Sequence, residues 1–217
     1  MKRLFLFIKM IFVQPTMYFT RLHAKKLGFD GRFQIARTWA KFIIGNCAVK
    51  LDVKNTHLIP LEDGYTFISN HESKYDGIFL LAGQPLDFSF FIAAKTRLPY
   101  MTPFLRFIDS ILTTSDSKDD DLIKMNHGLR TQHNFHLFLS DLEEGESESS
   151  LLDAAYLSKT AIIPVAIKNA GSLMKFGHQV VTVSFCTPLH FEEYGNQPPL
   201  VTLNDIKQRL KTELKEG

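Results

Sequence analysis

The stretch YTFISNHESKYDGIFLL, Tyr65–Leu81, decides the fold. Its first half is a short apolar run, bounded by Asn70, that reads as a strand. Its second half opens on Ser73-x-x-Asp76, a capping-box variant, and continues into an apolar segment that reads as a helix near Ser73–Leu81. A strand that passes through the turn Asn70-His71-Glu72 into a helix is one unit of a parallel α/β sheet.

The same alternation continues on both sides of this stretch. Strands are predicted near Val49–Val53, Tyr65–Ser69, Phe88–Ala93, Ser110–Thr113, Phe135–Leu139, Ala161–Ile167 and Val180–Phe185. Further helices are predicted near Thr102–Ile108, Asp120–Gln132, Ser150–Ser158 and Leu203–Lys215. The expectation is an α/β fold with a mostly parallel central sheet covered by helices on both faces. At 217 residues and 45% hydrophobic content the chain can bury a sizeable core. No repeat or long linker divides residues 46–217, which are read as one α/β domain, with residues 1–45 as a separate, membrane-docking helical segment. Cys47 and Cys186 form no C-x-x-C pair, which suggests neither a disulfide framework nor a zinc site and fits a reducing location.

The net charge of +2 conceals a segregation. Residues 1–50 carry ten Lys/Arg against Asp30 alone, whereas residues 51–217 carry fifteen against twenty-two acids. The basic part is also rich in aromatics. MKRLFLFIKMIFVQ, Met1–Gln14, and PTMYFTRLHAKKLG, Pro15–Gly28, read as an N-terminal amphipathic helix pair with Phe/Leu faces and Lys/Arg faces. The first is too short and too charged to cross a bilayer, which takes about 20 apolar residues, and it has no small-residue cleavage site. The pair is expected to lie in the headgroup region of a membrane's cytoplasmic face, as a peripheral or monotopic anchor. Ordinary packing of the two helices on the domain is the other reading of the pattern. No nucleic-acid-binding motif accompanies the charge, so nucleic acid is not an expected partner.

His71 and Asp76 are five residues apart, a spacing that chance supplies easily. His136 and Asp141 share it, but on a strand an odd spacing sends two side chains to opposite faces. Within one continuous helix the first pair would also diverge, by about 140°. The two can meet only across a break, and the turn before Ser73 provides one. Asp76 in the first helical turn can accept the Nδ1 proton of His71, fix its tautomer and leave Nε2 to act as a general base. Asp76 as a simple cap and His71 as a turn residue is the plainer alternative. His127, His133 and His136 lack a carboxylate at a ligand spacing, and no metal site is expected.

SNHESKYDG resembles the first motif, N-H-x-x-x-x-D, of the glycerolipid acyltransferases, the family typified by 1-acylglycerol-3-phosphate acyltransferase. Three more blocks follow in that family's order. AAKTRLPYMTPFLRFIDSIL looks like its second region, with Lys95 after a strand; LEEGESES stands at its Phe-Pro-Glu-Gly-Thr-Arg block, with Glu144-Gly145 as the Glu-Gly; AIIPVAI is similar to its fourth motif, with Pro164 in the proline position. The resemblance spans roughly residues 50–190.

It implies transfer of a fatty acyl group from an acyl-CoA or acyl carrier protein thioester, as co-substrate, to a hydroxyl of a lipid acceptor, with no other cofactor. His71 and Asp76 would be catalytic. Asn70, Lys95, Ser115, Glu144, Gly145, Ser147 and Pro164 would fall in the substrate-binding set, and membrane lipids would be the partners. Ser115 and Ser147 stand where the family has arginines thought to hold the acceptor's phosphate, and serine cannot replace that charge. The loop around Glu144 is also acidic, with Asp141, Glu143, Glu146 and Glu148. These departures point to an acceptor without a phosphate monoester. An inactive membrane-associated lipid-binding protein and a thioester hydrolase are the alternative functions.

Overall fold

The computed structural model describes residues 20, 24, 26–47, 49–60, 64–93, 102–114, 116–139, 152–171 and 179–216. The described elements follow the order α1 Phe29–Asn46, β1 Val49–Lys54, β2 Thr66–Ser69, α2 Asp76–Gly83, β3 Phe88–Ala93, α3 Thr102–Phe107 and β4 Ile111–Thr113. The order continues with α4 Lys118–Arg130, β5 Asn134–Phe138, α5 Asp153–Ser158, β6 Ile162–Lys168, β7 Gln179–Phe185, α6 Phe191–Tyr194 and α7 Pro199–Glu216. The strands form one seven-stranded sheet in the order β1-β7-β6-β2-β5-β3-β4. All neighbours are parallel except β6 and β7, which pair antiparallel. The chain steps from β2 to β3 on one side and later crosses back from β5 to β6 on the other. The carboxyl end of β2 is therefore a topological switch point, where α/β sheets open a crevice.

β2 lies between two strands and all four of its residues are buried, as a central parallel strand requires. Its alternating side chains feed two cores. Phe67 joins Phe79, Leu80, Phe88 and Phe90 on the face covered by α1, α2 and α3. Ile68 joins Met125, Leu129, Ala154, Ala155, Leu203 and Ile206 on the face covered by α4, α5 and α7. The entry to β2 is fixed by Gly64, whose φ of 93° is a left-handed conformation, and a Cβ there would meet the Leu129 carbonyl at 2.6 Å. The Asn134 carboxamide oxygen accepts from the N–H groups of Gly64 and Tyr65 at 2.9 and 2.8 Å.

α1 falls within the segment assigned to membrane docking, yet it belongs to the α/β body. Phe33, Ala36, Ala40 and Ile44 recur at helical spacing and are buried in the first core. Each larger side chain so buried contributes about 2 kcal/mol. Arg32 pairs with Asp109 through two hydrogen bonds, and Arg37 donates to the carbonyls of Gln84, Pro85 and Leu86 and lies 3.2 Å from Asp87. The boundary expected at residue 45 thus falls at the end of a helix that the body has absorbed. The first expected N-terminal helix lies outside the described residues; of the second, Thr20 and Ala24 are helical, and Ala24 is buried in the first core. Among the described residues, no helix is long and apolar enough to cross a membrane.

Candidate active site

The chain leaves β2 at Ser69, and the next residue takes over the ladder with its side chain. Asn70 Nδ2 donates to the Ile167 carbonyl at 2.8 Å, while Asn70 Oδ1 accepts the Ile167 N–H at 2.7 Å. The carboxamide therefore mimics one more strand residue beside β6 and turns the backbone out of the sheet. Both of its polar ends are engaged in this way, which gives Asn70 a framework role at the turn into His71.

Asp76 is fully buried at the first residue of α2, and four donors converge on it. Oδ2 accepts the N–H groups of Glu72 and Ser73 at 2.7 and 2.9 Å, and Oδ1 accepts the Ser73 hydroxyl at 2.9 Å. The Ser73 hydroxyl itself accepts the Tyr75 N–H at 3.1 Å. One half of the expected capping box is thus present, Ser73 N–H to the Asp76 carboxylate, but the Ser73 hydroxyl accepts the N–H of Tyr75 and not that of Asp76. The α-helix starts at Asp76, three residues later than expected, because Ser73–Asp76 forms a turn closed by Asp76 N–H to the Ser73 carbonyl. The fourth donor is His71, whose Nδ1 lies 2.8 Å from Asp76 Oδ2. Backbone N–H groups fix the carboxylate, and the carboxylate fixes the ring.

This contact makes Nδ1 the protonated nitrogen and presents Nε2 as the acceptor. The His71 side chain is 36% exposed, and its ring packs against Phe138 at 4.7 Å between centroids. Phe138 ends β5 and pairs in register with Ser69, so the β2–β5 pairing brings the aromatic ring beside the histidine. Sequence spacing carries no sign of that contact, because it depends on which strands are neighbours.

A second histidine, paired with a hydroxyl, lies deeper. His136 Nε2 is 2.9 Å from Ser69 Oγ and Nδ1 is 3.1 Å from Gln84 Oε1, within a cage of Phe67, Phe88, Phe90 and Phe138. Burial pushes the His136 imidazole down to about 3. With no exposed surface, the pair organises the core beneath His71 and can meet no substrate.

Pro164 is buried within β6, paired in register with Ile68, and its carbonyl accepts the Cys186 N–H at 2.9 Å. The N–H that proline lacks falls where β7 has ended and the chain loops from Cys186 to Leu189, so the strand tolerates it. Its observed role is one of strand architecture. Lys95, Ser115, Glu144, Gly145 and Ser147 lie outside the described residues. Among the described residues no group of three or more His, Cys, Asp or Glu is arranged to hold a metal ion.

No protein-family model matches the chain, and no curated protein matches it. Its architecture does match a crystal structure, that of PlsC, the 1-acyl-sn-glycerophosphate acyltransferase from Thermotoga maritima. The TM-score is 0.74 at 16% sequence identity, over 98% of this chain and 96% of that one. The two proteins share one fold. The likeness of the four sequence blocks to the acyltransferases is therefore matched by the whole α/β architecture. In this shared fold His71 and Asp76 sit together at the end of a central strand.

Proposed function

We propose that the protein is a lipid O-acyltransferase in which His71 is the general base and Asp76 orients it. The observation that carries this reading is the 2.8 Å contact from His71 Nδ1 to a fully buried Asp76 at the switch point of the sheet. The shared fold with PlsC supports it.

The chemistry follows from the tautomer. His71 Nε2 takes the proton of the acceptor's hydroxyl as that oxygen attacks the thioester carbonyl. The tetrahedral oxyanion collapses, the carbon–sulfur bond breaks, and the imidazolium returns the proton to the leaving thiolate. Asp76 stabilises the imidazolium while it exists. A positioned base of this kind contributes about 10²–10⁴-fold. Lys95 and backbone amides near it or near Gly145 supply the oxyanion's donors in this reading. The donor is an acyl-CoA or acyl carrier protein thioester.

The acceptor, on this reading, is a lysolipid whose headgroup is neutral, zwitterionic or cationic. Ser115 and Ser147 replace arginines of the family pattern, and the surrounding loop is acidic. Residues preceding α1 dock the enzyme on the bilayer, where such an acceptor lies. The test is to supply palmitoyl-CoA with an equimolar mixture of lysophosphatidate, lysophosphatidylcholine, lysophosphatidylethanolamine and monoacylglycerol, and to follow new acylated lipids by mass. Acylation of the acceptors without a phosphate monoester is expected. Exclusive acylation of lysophosphatidate would reject the headgroup assignment, and thiol release with free fatty acid alone would make the protein a hydrolase.

A further inference from the structure

His71 is held by its ring through Asp76, but proton transfer also requires the backbone beneath the ring to be fixed. Asn70 supplies one anchor through Ile167. The residue on the other side of His71 supplies a second. Glu72 Oε2 accepts the N–H of Ala170 at 2.9 Å. Ala170 is fully buried and follows Asn169, whose φ of 64° is left-handed, so the chain leaves β6 through a sharp bend that aims this N–H towards Glu72. A carboxylate accepting a backbone N–H forms one of the stronger classes of hydrogen bond. The Glu72 backbone N–H goes to Asp76 Oδ2 at 2.7 Å. Glu72 therefore joins the carboxylate that orients His71 to the exit of β6, across 98 residues of sequence.

We propose that Glu72 is a positioning residue for His71: by clamping the His71 turn to the bend at Ala170, it sets the aim of the imidazole for proton transfer. The inference rests on the reading of His71 as the general base. A surface glutamate that served only solubility would have no need of this geometry, and its hydrogen bond holds in one place a side chain that is otherwise rich in rotamers. The clamp requires an acceptor oxygen and not a charge. Glutamine can therefore substitute for it, and alanine cannot.

The test compares Glu72→Gln, Glu72→Ala and His71→Ala in the full chain, with palmitoyl-CoA and the lysolipid mixture above. Glu72→Gln is expected to stay within about threefold of the parent kcat, and Glu72→Ala to lose about tenfold to a hundredfold in kcat with KM unchanged, the range that a small misplacement of a reacting group produces; its melting temperature should fall by a few degrees as the buried Ala170 N–H loses its acceptor. The imidazole ¹⁵N spectrum gives a readout that needs no turnover: the His71 signals are expected to keep their positions in Glu72→Gln and to shift or broaden in Glu72→Ala. Parent kcat and an unchanged spectrum in Glu72→Ala would overturn the proposal, as would a glutamine variant as impaired as alanine. Full activity in His71→Ala would remove the base itself, and with it any role for Glu72 in aiming it.

Discussion

Asp76 Oδ2 receives His71 Nδ1 at 2.8 Å and, on the same atom, the backbone N–H groups of Glu72 and Ser73. The oxygen that orients the imidazole is thus itself oriented by the main chain at the start of a helix. Replacing it disturbs the base and the local fold together. In Asp76→Asn, the amide nitrogen either takes the Oδ2 place, against the N–H groups of Glu72 and Ser73, or takes the Oδ1 place, where the Ser73 hydroxyl must turn round to accept, and the charge that gathers the donors is lost either way. The variant is expected to lose about 1–3 kcal/mol of stability, the usual cost of an unsatisfied buried group. Acyl transfer should fall about 10²–10⁴-fold as the tautomer is lost. Chemical denaturation and turnover measured on the same preparation check both halves; unchanged stability would mean that the donors do not depend on the carboxylate.

Asn70 separates framework from chemistry. Its carboxamide replaces a missing rung between β2 and β6 through two hydrogen bonds to Ile167. Asn70→Leu is expected to destabilise the protein by about 1–3 kcal/mol by leaving the Ile167 N–H and carbonyl without these partners. A urea titration of the two proteins measures this directly. A midpoint equal to the parent's would show that water replaces the rung at no cost.

Arg37 ties α1 to the loop between α2 and β3 by reaching three consecutive carbonyls and Asp87. The planar fork of the guanidinium serves several acceptors at once, which a lysine ammonium on a different stem does not reproduce. Arg37→Lys is expected to recover little of the roughly 1–3 kcal/mol lost in Arg37→Ala. Equal stability of Arg37→Lys and the parent would assign the effect to charge alone.

The buried His136 gives acid sensitivity a definite sign. Its imidazole titrates near 6.5 when unfolded and is pushed down to about 3 by burial in the fold. Between those values the unfolded chain binds the proton and the folded chain does not, so stability is fully present above 6.5 and is lost as pH falls towards about 3. The slope is at most one proton's worth, about 1.4 kcal/mol per pH unit. His136→Gln is expected to flatten this part of the acid limb relative to the parent, as measured by denaturation midpoints at several pH values. An unaltered pH dependence would place the acid sensitivity elsewhere.

Much of this structure was legible in the chain because local patterns are legible. The β3 prediction, Phe88–Ala93, coincides with the strand, and the other six strands are displaced by at most two residues at either end. The His71–Asp76 meeting was also readable, since it needs only a strand, a turn and the first residues of a helix. Features that depend on distant partners were not. The antiparallel β6–β7 pair and the sheet order have no local signature, and the contact of Phe138 with His71 follows from that order. α1 shows the limit most clearly: Arg32 and Arg37 looked like part of a basic membrane-facing segment, but their partners Asp109 and Asp87 lie 77 and 50 residues away, and the four buried positions of the helix face the sheet. A partner that far along the chain turns an apparent surface charge into a fold contact. The motif shows Asn70 beside His71, but its two hydrogen bonds to Ile167, 97 residues away, have no local sign.

The most direct test of the central claim is acyl transfer by His71→Ala compared with the parent, using palmitoyl-CoA and the mixed lysolipid acceptors. His71 is partly exposed, so the variant should fold with a melting temperature close to the parent's. An acylated lipid from the parent and a loss of about 10²–10⁴-fold in the variant are expected. Equal rates of acylated product from the two proteins would contradict the claim.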